Sequence, residues 1–260
     1  MHTPLLTYPL THLLTVFIIG LCLGSFANVL IYRIPRNVSI IKPGSFCPNC
    51  KSPIRWYLNI PVVSYILLSG KCKNCGEKIS LQYPVIEILT AVLFVFLWIN
   101  STNKIFFVLY SIFVFYLIVI SFIDLEHRII PDVLSYSLTI IGIFLSPLNL
   151  YLSDKLTTRI LYSISGLLTG LIIFFLISYT GRKIFKKEAL GEGDIKLAAG
   201  LGVFLGPYKF LFSLFIGSLA GTFLSLILIY ILKKKKWGEY LPFGPFLSFG
   251  AIFTIFALPL

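Results

Sequence analysis

Gly191-Glu192-Gly193-Asp194 leads straight into the apolar run Ile195-Lys196-Leu197-Ala198-Ala199-Gly200-Leu201-Gly202-Val203-Phe204-Leu205, which Gly206-Pro207 then breaks. Whether this short run crosses a membrane decides how often the chain does. The surroundings leave no doubt that a membrane is involved. Of 260 residues, 57% are hydrophobic and only 12% charged, more apolar surface than a soluble domain of this length can hide. The fold class that follows is an all-α integral membrane protein.

A membrane helix takes about 20 mostly apolar residues. Eight spans meet that pattern, at about 12–31, 84–99, 104–123, 132–151, 159–179, 194–206, 209–232 and 241–259, with the sixth the shortest. Pro84 and Pro131 stand at span starts, where a missing N–H costs little. The distribution of charge settles the sixth. With eight spans and the N-terminus outside, 18 of the 22 Lys and Arg residues fall in inner loops, and only Lys104, Lys155, Arg159 and Lys209 fall outside. Were the sixth segment only to dip into the bilayer, Lys233 to Lys236 would face outward, against the positive-inside rule. The expected topology puts both termini outside, and puts Asp124, Asp194 and the long first loop on the cytoplasmic side. The net charge of +12 is thus a matter of topology and lipid headgroups, and nucleic acid is not an expected partner.

The first span follows Met1 to His12, which contain no Lys or Arg, so a cleaved secretory signal is not expected. Cys22 follows Leu21, where a lipobox wants a small residue, and reads as a buried thiol. Gly20-x-x-x-Gly24, Gly166-x-x-x-Gly170 and Gly217-x-x-x-Gly221 offer close helix packing. Gly200-x-Gly202 follows no strand, so packing is preferred there to a nucleotide site.

The expected division is a first membrane helix at 1–32, a cytoplasmic module at 33–83 and a seven-helix membrane domain at 84–260. The module carries Cys47-Pro48-Asn49-Cys50 and Cys72-Lys73-Asn74-Cys75, two knuckles able to close four thiolates around Zn²⁺. A segment this small gains from a metal what its core cannot supply. Lys51, Lys71, Lys73 and Lys78 are expected to favour thiolates there. Redox dithiols are the competing reading, but they usually face the oxidising side. Four cysteine ligands leave no open position, so the zinc would be structural.

Chemistry is expected instead at Asp124, in Phe122-Ile123-Asp124-Leu125-Glu126, and at Asp194. A helix cap is the bland reading of Asp194. As a pair, the two carboxylates could share a proton, one activating water and the other hydrogen-bonding a peptide carbonyl. Gly191 and Gly193 would let the backbone turn and a substrate strand approach. His2, His12 and His127 supply no Ser-His system at Asp194, and there is no H-E-x-x-H. Glu126 and Asp132 could replace Asp124 in this scheme, with Asp132 better placed to cap a helix. Glu87 and Glu192 read as solvated charges or as contacts for a basic segment. A transporter relaying protons or cations through Asp124 and Asp194 is the alternative class. A structural membrane subunit that docks partners through its zinc module is a third, and leaves the glycine-flanked aspartate unexplained.

These residues recur as an ordered series. Gly24-Ser25-Phe26-Ala27-Asn28-Val29 precedes the cysteine pairs, and Trp56-Tyr57-Leu58-Asn59-Ile60-Pro61-Val62 lies between them. Gly70-Lys71-Cys72, Gln82-Tyr83-Pro84-Val85-Ile86-Glu87, Ile123-Asp124-Leu125-Glu126 with Pro131-Asp132, Gly191 to Leu197 and Pro242-Phe243-Gly244-Pro245-Phe246 follow. In that order the chain resembles the bacterial type IV prepilin peptidases, also called leader peptidase/N-methyltransferases, over nearly its whole length. The resemblance implies a GxGD aspartyl protease of the bacterial plasma membrane. Such an enzyme removes the basic leader of type IV prepilins or pseudopilins on the cytoplasmic side, after a glycine. It also implies catalytic roles for Asp124 and Asp194, zinc ligation by Cys47, Cys50, Cys72 and Cys75, and S-adenosylmethionine as donor for N-methylation of the new terminus. Nothing departs from the family pattern at those positions.

Overall fold

The computed structural model describes residues 9–101, 103–186, 190–231 and 241–258, with Phe185 by its backbone alone. The N-terminal segment, Lys187 and Lys233 to Lys236 of the charge argument, and the last two residues lie outside them. The described residues form helices joined by turns: α1 Leu10–Arg33, α2 Val63–Leu67, α3 Gln82–Asn100, α4 Lys104–His127, α5 Asp132–Leu145, α6 Leu156–Phe185, α7 Glu192–Leu226 and α8 Gly244–Ala257. Among them α1, α3, α4, α6 and α7 are long and apolar enough to cross a membrane, and α5 and α8 are shorter apolar helices.

The sixth and seventh expected spans are two limbs of α7. At Gly206 the backbone leaves helical geometry (φ 73°, ψ 173°), a region glycine enters without a steric penalty, and Pro207 follows. Proline has no N–H for the carbonyl four residues back. That carbonyl, Val203 O, instead accepts from the Ser163 hydroxyl at 3.1 Å. Phe204 O, next along the break, accepts from the Tyr110 hydroxyl and from Asn149 Nδ2, each at 2.9 Å. Two helices and a turn thereby satisfy an interruption that would be costly in an apolar interior.

The chain divides into two compact units, Met1–Ser101 and Thr102–Leu260. In the first, the Gly20/Gly24 stripe brings α1 against α3: a Cβ added at Gly20 would stand 2.5 Å from Ala91 Cα, and one at Gly24 2.6 Å from Glu87 Cα. The expected division had placed α3 with the helices that follow it, and this packing puts it with α1. In the second unit the first limb of α7 lies between α5 and α6. Gly166 and Gly170 meet the backbone of Gly202 and Ala198, and Gly200 meets Leu138. Gly202 is thus closed by the Gly166 backbone, leaving no cradle for a phosphate. The second limb packs Gly217 and Gly221 against Phe246 of α8.

Candidate active site and metal centre

Asp124 lies in the last turn of α4, where Arg128, at φ 56°, donates its N–H to Asp124 O and ends the helix. Asp194 lies in the first turn of α7, whose N-cap is Gly191. That turn is the positive end of the helix dipole and suits a carboxylate. Asp124 is 2% exposed and Asp194 4%. Both belong to the second unit, and their carboxyl groups lie within electrostatic reach of each other. Asp124 Oδ2 accepts from the Gly244 N–H, at the start of α8, at 2.9 Å. Around Gly191 the space is open enough that an added Cβ would lie 3.4 Å from Asp194 Oδ2, whereas at Gly193 it would meet Ile130 Cβ at 2.8 Å.

The other acids separate from this pair. Asp132 follows Pro131 as the first residue of α5, but its carboxylate is engaged by Lys196 at 2.7 Å, tying α5 to α7. Glu126 is exposed and lies 3.5 Å from His127, and Glu192 is exposed. Glu87 is not solvated: it is 6% exposed and accepts from the Val62 N–H at 2.7 Å. Cys22, expected to be buried, is exposed on α1.

In the first unit the Sγ atoms of Cys47, Cys50, Cys72 and Cys75 all lie within 4.8 Å of one another. A tetrahedron of Zn–S bonds of about 2.3 Å needs sulfurs about 3.8 Å apart, so the set fits a single ion. The two knuckles are built alike, with an offset of 25 residues. Cys47 N–H donates to Ser52 O and Cys72 N–H to Glu77 O. Lys51 N–H returns to Cys47 O and Gly76 N–H to Cys72 O. Isolated bridges Phe46–Pro53 and Lys71–Lys78 close the turns. The Ser52 hydroxyl and then its backbone bring Cys50 down to about 6. Backbone N–H groups of Cys75 and Asn74 lower Cys72. Cys75, despite the Glu77 N–H, is pushed up to about 11 by desolvation and its sulfur neighbours. Four thiols this close cannot all ionise without a cation among them, which is what a divalent metal provides. The lysines expected to favour thiolates are not the cause of these shifts, and Lys51 Nζ lies over the Phe46 ring.

The fold and the two centres define a multi-pass membrane protein with a buried carboxylate pair and a four-cysteine cluster able to hold a metal. Comparison with known proteins gives the family. Residues 18–101 match the Bacterial Peptidase A24 N-terminal domain, and residues 111–226 match the Type IV leader peptidase family. The chain is 35% identical to the type 4 prepilin-like proteins leader peptide-processing enzyme of Escherichia coli O78:H11, over 91% of each chain. It is 36% identical to a prepilin leader peptidase/N-methyltransferase of Myxococcus xanthus, over 82% of this chain and 62% of that one. A Vibrio cholerae protein of the same name is 31% identical, over 96% of this chain and 98% of the relative. No solved structure matches. The chain belongs to the type IV leader peptidase family and is a membrane protease.

Proposed function

We propose that this enzyme cleaves the basic leader from type IV prepilins or pseudopilins at the cytoplasmic face of a bacterial plasma membrane, after a glycine, with Asp124 and Asp194 as the catalytic pair. The observation that supports the reading is that these two carboxylates, at the end of α4 and the start of α7, are both buried and within electrostatic reach of each other. The ionised member takes a proton from water as the water oxygen attacks the scissile carbonyl, while the protonated member donates to the carbonyl oxygen. Collapse of the tetrahedral adduct, with a proton passing to the nitrogen, releases the leader carboxylate and a new amine. Gly191 leaves room for an extended substrate strand, whereas the space beside Gly193 is filled by Ile130. The exposed carboxylates Glu126 and Glu192, each two residues from a catalytic aspartate in sequence, attract the basic leader.

The cysteine cluster holds Zn²⁺ as a folding element, since all four positions of a tetrahedral ion are taken by sulfur. The relatives' names also point to N-methylation. S-adenosylmethionine would supply the methyl group for the amine that cleavage exposes. The closed Gly200-x-Gly202 segment does not suit that donor, and no step of proteolysis runs through it.

The test is incubation of the purified enzyme with a prepilin peptide, with and without S-adenosylmethionine. Wild type cleaves; Asp124→Asn and Asp194→Asn do not, because an amide cannot accept the proton of water. Methylation of a pre-cleaved peptide survives both substitutions. Full cleavage by either variant at normal protein levels would refute the two-aspartate mechanism and move the assignment toward Asp132.

A further inference from the structure

The segment Pro242-Phe243-Gly244-Pro245-Phe246 has no role in the reaction as written, yet it is the part of the chain that holds Asp124. The hydrogen bond from Gly244 N–H to Asp124 Oδ2 spans 120 residues of sequence and is buried at both ends. Local sequence makes this donor available. Gly244 opens α8, and the first N–H groups of a helix have no partner within it. Pro245 has no N–H, and the N–H groups of Phe246 and Leu247 both donate to Phe243 O, at 3.0 and 3.1 Å. Gly244 is left as the first-turn donor free to serve the carboxylate.

The approach also requires a residue with no side chain. A Cβ at Gly244 would stand 2.7 Å from Asp124 Oδ2 and 3.3 Å from both Asp124 Cγ and Ile130 Cδ1. Ile130 is the same residue that closes the space at Gly193. One side chain therefore spaces the start of α8 and the turn that carries Asp194.

We propose that the Gly244 backbone N–H is a positioning group for the aspartate pair: it keeps Asp124 Oδ2 as an acceptor, so that the proton the pair shares resides elsewhere, with Ile130 as the spacer. The inference rests on Asp124 and Asp194 being the peptidase pair.

The decisive experiment removes the donor without adding a side chain. Glycolic acid incorporated at position 244 of the full-length chain turns the amide into an ester and leaves the shape intact. A hydrogen bond to a charged group typically contributes 1.5–3 kcal/mol, so kcat on a prepilin peptide should fall about 10- to 100-fold, with KM nearly unchanged. The acid limb of the kcat profile should move to higher pH, because the ionised carboxylate has lost a donor. Gly244→Ala should lose more, since its methyl displaces the carboxylate. Methylation of a pre-cleaved peptide and thermal stability report that the chain is folded. A folded ester protein with wild-type kcat and pH profile would overturn the proposal, as would an ester protein that fails to fold, which would make Gly244 a structural cap. Should Asp124→Asn itself cleave, the aspartate reading fails; should it be inactive beside a wild-type ester protein, only the positioning role fails.

Discussion

Three acidic residues are buried among the described residues, Glu87, Asp124 and Asp194, and their surroundings distinguish them. Glu87 holds a strained turn. Val62 sits at φ 60°, ψ −48°, and Val63 N–H donates to Pro61 O at 2.6 Å, a γ-turn of the rarely adopted hand. A β-branched residue there is maintained only by surrounding contacts, and the carboxylate on the Val62 N–H is one of them. Glu87→Ala should therefore destabilise the loop around Val62 by about 1–3 kcal/mol. Hydrogen exchange over residues 56–68 measures it, and unchanged protection would show the turn to be held by other contacts. Asp124 and Asp194 stood out in the sequence as carboxylates at the edges of apolar runs, although a helix cap remained a reading of Asp194 that only tertiary structure could weigh. The burial of Glu87 was not legible, because it depends on how a loop 25 residues upstream folds back onto α3. Gly244 was visible as part of a motif, but its partner lies 120 residues away.

At the level of elements, the break in α7 shows what pattern reading captures and what it misses. Gly206-Pro207 was visible as an interruption between two helical limbs, and charge made each a span, but the sequence alone could not show what satisfies the backbone at the break. The answer lies in tertiary contacts, because the freed carbonyls find acceptable donors on α4, α6 and the turn after α5. Ser163→Ala and Tyr110→Phe should each destabilise the second unit by about 0.5–1.5 kcal/mol, the usual net worth of such a bond. Thermal unfolding of the purified variants checks this; wild-type stability for both would mean that water satisfies the break. The three glycine stripes were legible as possible contacts, and each one packs against another helix.

On the scale of the whole chain, the topology and the metal give separable predictions. If both termini face outward, a single cysteine placed at Lys155 reacts with an impermeant reagent in intact cells, while one placed in the loop from Arg33 to Lys78 does not. The opposite pattern would invert the orientation. Chelation of the purified enzyme, or Cys72→Ser, should lower zinc content and make the first unit's loop protease-sensitive. Elemental analysis of wild type without stoichiometric metal would restore the dithiol reading. The cysteine spacing made this module legible, but the repeat of its whole hydrogen-bond pattern was obscured because only the cysteines and a few neighbours match in type. Lys51, at φ 58°, occupies the place that Gly76, at φ 73°, fills in the other knuckle.

The length of α8 has a further consequence. Its 14 helical residues, like the 14 of α5, measure about 21 Å, against about 30 Å of hydrocarbon in an ordinary bilayer. A short helix makes the lipid beside it thin, or admits headgroups and water below the usual level. The short α8 begins at the residue bonded to Asp124, so any thinning beside it would bring solvent toward the carboxylates. If Asp124 and Asp194 are the proposed pair, such a dimple would supply the water that their reaction consumes. Cleavage should then be faster in vesicles of short-chain than of long-chain phosphatidylcholine at equal fluidity, and a rate indifferent to acyl length would show that water reaches the aspartates by another route.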